Sequence, residues 1–127
     1  LAVFFVAGQL PIEAEQFEFP KLEAVQVRKV LQYSLWQLEL ARSWDRDTIS
    51  QSLSGISQQM ELKMKDFMMP LFIAISGRAA APSIMDAMVI LGSDMTRARL
   101  RHALDLLGGP SKKEAKAWEK EFRGFDL

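Results

Sequence analysis

Apolar residues recur every three to four positions along most of the chain, which is the periodicity of an amphipathic helix. The longest such stripe lies within residues 22–42, and a second stripe over 49–60 keeps the same spacing. Alternating β-branched runs, which would indicate strands, are missing. The pattern therefore predicts an all-α fold.

Prolines, glycines and capping residues divide this pattern into about seven helices. We place them at about 1–7, 22–42, 45–60, 65–75, 82–91, 93–107 and 111–123. Asp45 or Asp47 can cap the third helix, because a short acceptor side chain satisfies free backbone N–H groups at a helix start. Pro70 within the fourth helix predicts either a start near Phe67 or a kink. Gly92 is expected to end the fifth helix.

Short connectors favour a helical cage or bundle in which these helices form two small lobes. The length of 127 residues fits one domain or two lobes that share a core. We place the joint at 61–66, which gives an N-terminal lobe over 1–62 and a C-terminal lobe over 63–127.

The charge is distributed unevenly, although 16 basic and 16 acidic residues cancel over the whole chain. Residues 1–62 carry five basic and eight acidic side chains, a net charge of −3. Residues 63–124 carry eleven basic and seven acidic side chains, a net charge of +4. We therefore expect an anionic partner to meet the second half.

Residue types that serve catalysis or metal binding are scarce. The chain has no Cys and a single His, His102, which excludes disulfides and Cys-ligated metal centres and disfavours a His-paired nucleophile. No acid–base constellation is present, which disfavours a free-standing enzyme. The sequence contains no run of about 18 apolar residues, which is the length that would predict a membrane span. The apolar segment 1–10 lacks the basic leader of a signal peptide.

Short motifs within residues 63–109 stand in an informative order. They are Pro70-Leu71, Ser76-Gly77, Ala81-Pro82 and Leu91-Gly92, followed by Arg97, Arg99, Arg101 and Ala103-Leu104. In this order and spacing, the segment resembles the anticodon-binding domain at the C-terminal end of bacterial glutamyl-tRNA synthetases. Upstream, Phe4-Phe5 and Trp44 with Thr48-Ile49 are similar to the same family more loosely.

The resemblance implies an all-helical domain that binds the anticodon loop of glutamate tRNA and is attached to its own catalytic domain. Members are class I ligases that activate glutamate with ATP and Mg²⁺. Their HIGH-like and KMSKS-like catalytic signatures are absent from this chain, so we expect no catalytic residue, cofactor or metal in this segment. The resemblance further implies a cytoplasmic monomer that binds neither DNA nor membranes.

Carried over by position, the resemblance places Ala81, Pro82 and Ile84 against the anticodon, with Arg78 nearby. There, backbone polar groups and a rigid proline would recognise a splayed base edge. Two residues depart from the family pattern. Ala81 stands where a Thr can occur, which removes a hydroxyl contact. Phe72 stands where a basic residue is common, and its ring either stacks on a base or fills the core.

Basic residues outside this loop are candidates for tRNA phosphate contacts. Arg97 and Arg101 share one face of a helix, whereas Arg99 points to the opposite side. The alternative for Arg97 and Arg101 is a solvated face with ion pairs to neighbouring aspartates. Lys63 and Lys65 are the other two candidates.

The last helix carries a basic stripe broken by glutamates, for which a solvated face is favoured over weak attraction to RNA. Trp118 on this helix either anchors a partner or packs back on the domain. His102 is interpreted as a structural histidine, and the methionines over 60–69 as core residues.

Two functions from other classes compete with tRNA binding. A helical protein-interaction module would expose similar apolar surfaces once a catalytic domain is removed. A DNA-binding helix-turn-helix protein, which would use the helix pair over 82–107, is disfavoured. The net charge of this chain is zero, which is unsuited to DNA, and no predicted helix clusters the Asn, Gln and Arg side chains that recognise bases.

Overall fold

The structure is a computed structural model that describes residues 11–78 and 83–127. Over these residues the chain forms five α-helices. They are α1 (Ala24–Glu39), α2 (Arg46–Gln59), α3 (Met64–Ser76), α4 (Ile84–Leu106) and α5 (Lys112–Arg123). A short 3₁₀ helix, Ala14–Phe17, precedes them. The described residues contain no β-strand beyond one isolated bridge between Phe19 and Leu22, so the predicted all-α fold is confirmed.

The predicted count of about seven helices is wrong. The first predicted helix, over 1–7, lies outside the described residues. The predicted break at Gly92 is present, since the backbone there is non-helical (φ 85°, ψ 165°). The helices predicted over 82–91 and 93–107 meet directly at this kink and are counted as one element, α4. Gly92 therefore kinks α4 without a connecting loop, because only a glycine adopts this conformation without a steric cost.

The capping residue predicted for the second of these helices is confirmed, whereas the helix start predicted from a proline is not. Asp45 caps α2, and its carboxylate accepts a hydrogen bond of 2.8 Å from the Thr48 N–H. The start near Phe67 is wrong, because α3 begins at Met64 and contains the buried Pro70. Pro70 has no N–H to donate to the Asp66 carbonyl one turn earlier.

The helices surround one core, in which α1 contacts α2, α3 and α4. Its fully buried side chains include Val30, Leu31 and Tyr33. Phe67 from α3 and Leu100 from α4 belong to the same core cluster. Helices from both sides of residue 62 thus share a core, and the division into lobes at this position stays a prediction.

The last helix packs back on α1 through its aromatic face. Trp118 is only 4% exposed, and its ring lies edge-on to Tyr33 with centroids 6.4 Å apart. Phe122 lies 5.4 Å from Trp36 and 5.8 Å from Tyr33, centroid to centroid. Of the two alternatives for Trp118, the structure therefore shows packing against the domain.

Candidate nucleic-acid interface

The turn that ends α3 presents an exposed arginine. Gly77 adopts a left-handed conformation (φ 77°) at the end of the helix, and its N–H donates to the Ile73 carbonyl at 2.8 Å. Such a C-terminal cap suits glycine, which has no Cβ to clash. The Arg78 N–H then donates to the Ser76 hydroxyl at 3.3 Å. The Arg78 side chain is exposed, and within the described residues it forms no ion pair.

Two distant residues hold this turn in place. The Gln16 side chain donates to the Gly77 carbonyl at 3.1 Å. From α4, Arg99 donates through Nη1 to the Ile75 carbonyl at 2.6 Å. Arg99 is only 2% exposed, and burial lowers the pKa of its guanidinium below the ordinary value. The negative end of the α3 dipole compensates for this buried cation, so Arg99 joins α4 to the turn that carries Arg78.

The other residues predicted to contact the anticodon lie in different surroundings. Ala81 and Pro82 are outside the described residues. Ile84 begins α4 after Ser83, whose φ is 58°. The Ile84 side chain is 7% exposed and belongs to the core. Phe72 is partly buried and packs against the same core, which favours the alternative that its ring fills the core.

The kink at Gly92 is stabilised by side chains that bond the backbone preceding it. The Met88 carbonyl accepts a hydrogen bond of 2.9 Å from the Trp44 indole N–H. It also accepts one of 3.4 Å from the Thr96 hydroxyl. Near this kink, the helix start at Ile84 is tied to α2 by an ion pair between Arg46 and Asp86 at 3.4 Å. These contacts fix the position of the first half of α4 against Trp44 and Arg46.

Both arginines predicted to share a helix face are engaged within the molecule. Arg97 pairs with Asp94 at 2.7 Å, and its Nε also donates to the Ser93 carbonyl at 3.4 Å. Arg101 lies 4.0 Å from Glu39 at the end of α1. Arg99 points into the core, away from both. A phosphate at Arg97 or Arg101 would therefore compete with a carboxylate that is already in place.

The two predicted lysine contacts lie at the opposite end of α3. Lys63 and Lys65 are exposed, and within 11–78 and 83–127 neither forms an ion pair. They line a surface pocket together with Lys21. Since α3 contains 13 residues that each rise about 1.5 Å, this pocket and Arg78 lie about 20 Å apart. The unpaired cations of α3 thus stand at both of its ends.

The charges between α1 and α5 are used for attachment. Arg28 binds Glu114 with both arms of its guanidinium, at 2.9 and 3.2 Å. Its Cζ lies 5.3 Å from the Trp118 ring centroid. The Arg28 hydrogen bonds, helped by the Ser111 N–H, lower the pKa of Glu114 to about 2. This ion pair is half-buried, and bidentate geometry makes it stronger than an ordinary surface pair.

A second carboxylate on α5 joins the aromatic contacts to α1. Glu121 accepts hydrogen bonds from the Tyr33 hydroxyl and from Lys29. Burial opposes ionisation of Glu121, but the hydrogen bonds outweigh it and lower its pKa. Burial, together with the neighbouring carboxylate, raises the pKa of Tyr33 above its ordinary value. Lys112, Lys113, Lys116 and Lys120 are exposed on the opposite side of α5, as a solvated face requires.

Sequence reasoning missed two basic residues that organise these surfaces. It placed Arg99 opposite Arg97 and Arg101 but did not anticipate its bond to the end of α3. Helix periodicity gave the signal, since Arg99 falls between Thr96 and Leu100 on the apolar side of α4. It did not single out Lys21, because nothing in the linear sequence brings position 21 next to 63 and 65.

The fold and the site define an all-helical domain with exposed cations at both ends of one helix. Within the part of the chain that the structure describes, no three metal-ligating side chains cluster together. The same part contains no helix with the length and apolar character of a membrane span. Residues 1–104 match the anticodon binding domain family, and the chain belongs to this family.

Curated relatives agree with the family match. The chain is 52% identical over 122 residues to a glutamate–tRNA ligase from Marinomonas sp. (strain MWYL1). It is 52% identical over 119 residues to that of Saccharophagus degradans and 48% identical over 127 residues to that of Marinobacter nauticus. These alignments cover 96%, 94% and 100% of this chain but 25%, 24% and 26% of the relatives. The chain thus spans about a quarter of the length of the relatives it matches.

Proposed function

We propose that this chain is the anticodon-recognition domain of a glutamate–tRNA ligase. It would bind the anticodon loop of glutamate tRNA while a catalytic domain elsewhere in the parent enzyme attaches glutamate, using ATP and Mg²⁺. The observation that carries the proposal is the family match together with relatives of that name at 48–52% identity. In this proposal, ATP and Mg²⁺ are bound by the catalytic domain.

The proposed anticodon site is the segment of the chain between α3 and α4. Arg78 supplies an exposed guanidinium on a turn that Gln16 and Arg99 hold from inside. A guanidinium bonds phosphate oxygens or base edges in a fixed fork, so a rigid base for it improves selectivity. Ala81 and Pro82 complete this site through backbone groups and shape.

Phe72 and Ile84 contribute to the proposed site by different means. Ile84 acts through its backbone, since its side chain is buried. Phe72 supports the end of α3, because its partly buried side chain packs against the core. Neither side chain is expected to recognise a base as an arginine does.

Phosphate contacts are ranked by the availability of their charge. Lys63 and Lys65 come first, because they have no ion-pair partner among the described residues. Arg97 and Arg101 come second, because each must leave Asp94 or Glu39 to bind a phosphate. An exchange of one anionic partner for another gains little free energy compared with pairing a free cation.

The proposal extends to the setting of the domain. We propose that it works as part of a cytoplasmic monomer, bound to its own catalytic domain, and contacts neither DNA nor membranes. The lobes 1–62 and 63–127 would move as one unit on the tRNA, since their helices share a core.

The test is a binding titration of this chain against fluorescent anticodon stem–loops of glutamate tRNA. One RNA carries the natural anticodon, and two others carry a changed middle or third base. We expect the natural stem–loop to bind several-fold more tightly than either changed RNA. Arg78→Ala should reduce this preference, whereas Lys112→Ala, which changes an exposed lysine on α5, should not.

Equal affinity for all three RNAs would overturn anticodon recognition. Absence of binding to any RNA would favour the competing function, a helical protein-interaction module. Two exposed apolar side chains favour that function, since Leu40 is 68% and Ile90 74% exposed. Unchanged preference in Arg78→Ala would remove Arg78 from the site and leave the family assignment intact.

A further inference from the structure

A tight turn before α1 and the first turn of α3 enclose a basic pocket that the anticodon site does not use. Lys21 comes from the turn, and Lys63 and Lys65 come from the start of α3. The pocket has a volume of about 270 Å³. Two separate segments of the chain thus bring three lysines to one concave surface.

The local sequence fixes the position of Lys21. Phe19 and Leu22 are bridged, and the Leu22 N–H donates to the Phe19 carbonyl at 3.4 Å. Pro20 occupies the second position of this four-residue turn, where its restricted φ is favourable. Leu22 is buried, which anchors the turn to the core. The backbone of Lys21 is therefore held over the pocket, and only its flexible side chain remains to be ordered.

The charge of the pocket is positive and uncompensated. Its three lysines face one carboxylate, Asp66, so the lining carries a net charge of +2. Within the described ranges, none of these three lysine side chains forms a hydrogen bond or an ion pair. The start of α3 adds to this potential, because Lys63 makes no side-chain cap and the first N–H groups of a helix carry partial positive charge.

Other basic clusters of the described chain lack this combination. On α5, Lys116, Lys120 and Arg123 line a shallow depression, but Glu119 lies among them and accepts a hydrogen bond from Arg123. Arg28 and Lys29 are paired with glutamates of α5. The pocket at the start of α3 therefore offers the best-placed free cations beyond Arg78.

Size and lining indicate the kind of ligand. Sites for whole cofactors commonly measure about 300–1,000 Å³, and this pocket is smaller than that range. Phe19, Leu22 and Met69 supply an apolar wall beside the lysines. A phosphate with its attached ribose fits this lining, since the lysines neutralise the phosphate and the apolar wall contacts the sugar.

We propose that Lys21, Lys63 and Lys65 form a second RNA-contact site, which binds backbone phosphates of the same RNA that Arg78 meets. This inference rests on the proposed function. Three stacked nucleotides span about 10 Å, whereas the two ends of α3 lie about 20 Å apart. The RNA at the second site is therefore outside the anticodon triplet, and the contact adds affinity without base preference.

The test compares two triple variants of equal charge. The first, Lys21→Ala/Lys63→Ala/Lys65→Ala, removes the pocket lysines. The control, Lys112→Ala/Lys113→Ala/Lys116→Ala, removes three exposed lysines of α5. Both are titrated with the three anticodon stem–loops over a series of salt concentrations. Thermal unfolding checks that both variants keep the fold, which we expect because all six side chains are exposed.

The pocket variant should bind roughly tenfold or more weakly than the unmodified chain at about 0.1 M salt. Its plot of log affinity against log salt should flatten by roughly 0.7–0.9 for each phosphate that the variant no longer neutralises. Its relative preference for the natural anticodon should stay unchanged, and the control variant should bind less than about threefold more weakly than the unmodified chain.

The outcomes separate this inference from the proposed function. A pocket variant with the affinity and salt dependence of the control overturns the second site, even when the anticodon preference persists. A pocket variant that binds weakly, while no RNA is preferred by the unmodified chain, supports the site and overturns anticodon recognition. Loss of anticodon preference in the pocket variant would show that the lysines contact bases and would contradict a backbone site. No binding of RNA by the unmodified chain overturns both.

Discussion

The α1–α5 interface and the two ends of α3 use the same residue types for opposite purposes. Between α1 and α5, Arg28 and Lys29 are held by Glu114 and Glu121 against a cluster of aromatic rings. At the ends of α3, the basic side chains have no such partner among the described residues. Pairing thus turns a cation into an attachment between helices, and only an unpaired cation remains available to an anionic ligand.

Because of this difference, the net charge of a segment does not tell how many of its cations can bind a ligand. Residues 63–124 carry a net charge of +4, but several of their cations are engaged within the fold. Arg97, Arg99 and Arg101 all have partners inside the molecule. The useful quantity for recognition is the number of exposed cations without a carboxylate nearby, which is a property of the packing.

The largest effect is expected at the paired interface. Trp118→Ala removes a buried ring that contacts Tyr33 and lies under Arg28, and it should lower the free energy of unfolding by about 3–5 kcal/mol. Denaturant unfolding measures this change. Lys116→Ala, on the exposed side of the same helix, serves as the control and should change stability by less than about 0.5 kcal/mol. A small effect of Trp118→Ala would mean that α5 contributes little to the fold.

A smaller loss of stability is expected at the link between α4 and the end of α3. Arg99→Met keeps a long side chain but leaves the Ile75 carbonyl without its charged donor. It should lower the free energy of unfolding by about 1–3 kcal/mol, as measured by denaturant unfolding. Arg101→Met, on the exposed face, should be close to neutral. Equal effects of both changes would contradict the buried role of Arg99.

The attachment of α5 should weaken at low pH. Glu114 has its pKa lowered from 4.5 to about 2, so its ionised form is favoured by folding. The stabilisation is then complete above the unfolded pKa and is lost as the pH falls from about 5 towards 2. Glu114→Gln should lower Tm by a few degrees near neutral pH, and the difference from the unmodified chain should shrink on acidification.

The control for this pH dependence is Glu18→Gln, an exposed glutamate with no ion pair in the described part of the chain. Its Tm should follow that of the unmodified chain throughout the titration. A difference between Glu114→Gln and the unmodified chain that stays constant from about pH 6 to about pH 3 would show that Arg28 does not stabilise the Glu114 carboxylate.

The smallest effect is expected for RNA binding by the two arginines that already have carboxylate partners. Arg97→Ala/Arg101→Ala should weaken binding of the anticodon stem–loop by less than about threefold, because both arginines already have carboxylate partners. Lys63→Ala/Lys65→Ala, which also removes two cations, should weaken it more. Fluorescence titration at moderate salt measures both. A stronger effect in the arginine variant would show that these ion pairs open for phosphate.

Much of the secondary structure was accessible from the sequence because its determinants are local. The acceptor at Asp45, the glycine at 77 and the serine at 111 act within one turn of the chain, and the structure places helix boundaries at each. The break at Gly92 was predicted, but the direct continuation of the chain into a second helix was not, because contacts from other parts of the fold set the geometry of the kink. Trp44 and Thr96 supply those contacts.

The helical class, most helix limits and the family follow from the order of residues, because periodicity, capping and motif spacing are local properties of the chain. Which charges are free depends on the packing of the helices. This packing buries Arg99, pairs Arg97 with Asp94, and brings Lys21 beside Lys63 and Lys65. The physical reason is that a charge is neutralised by whatever lies within a few ångströms of it, and folding sets that neighbourhood.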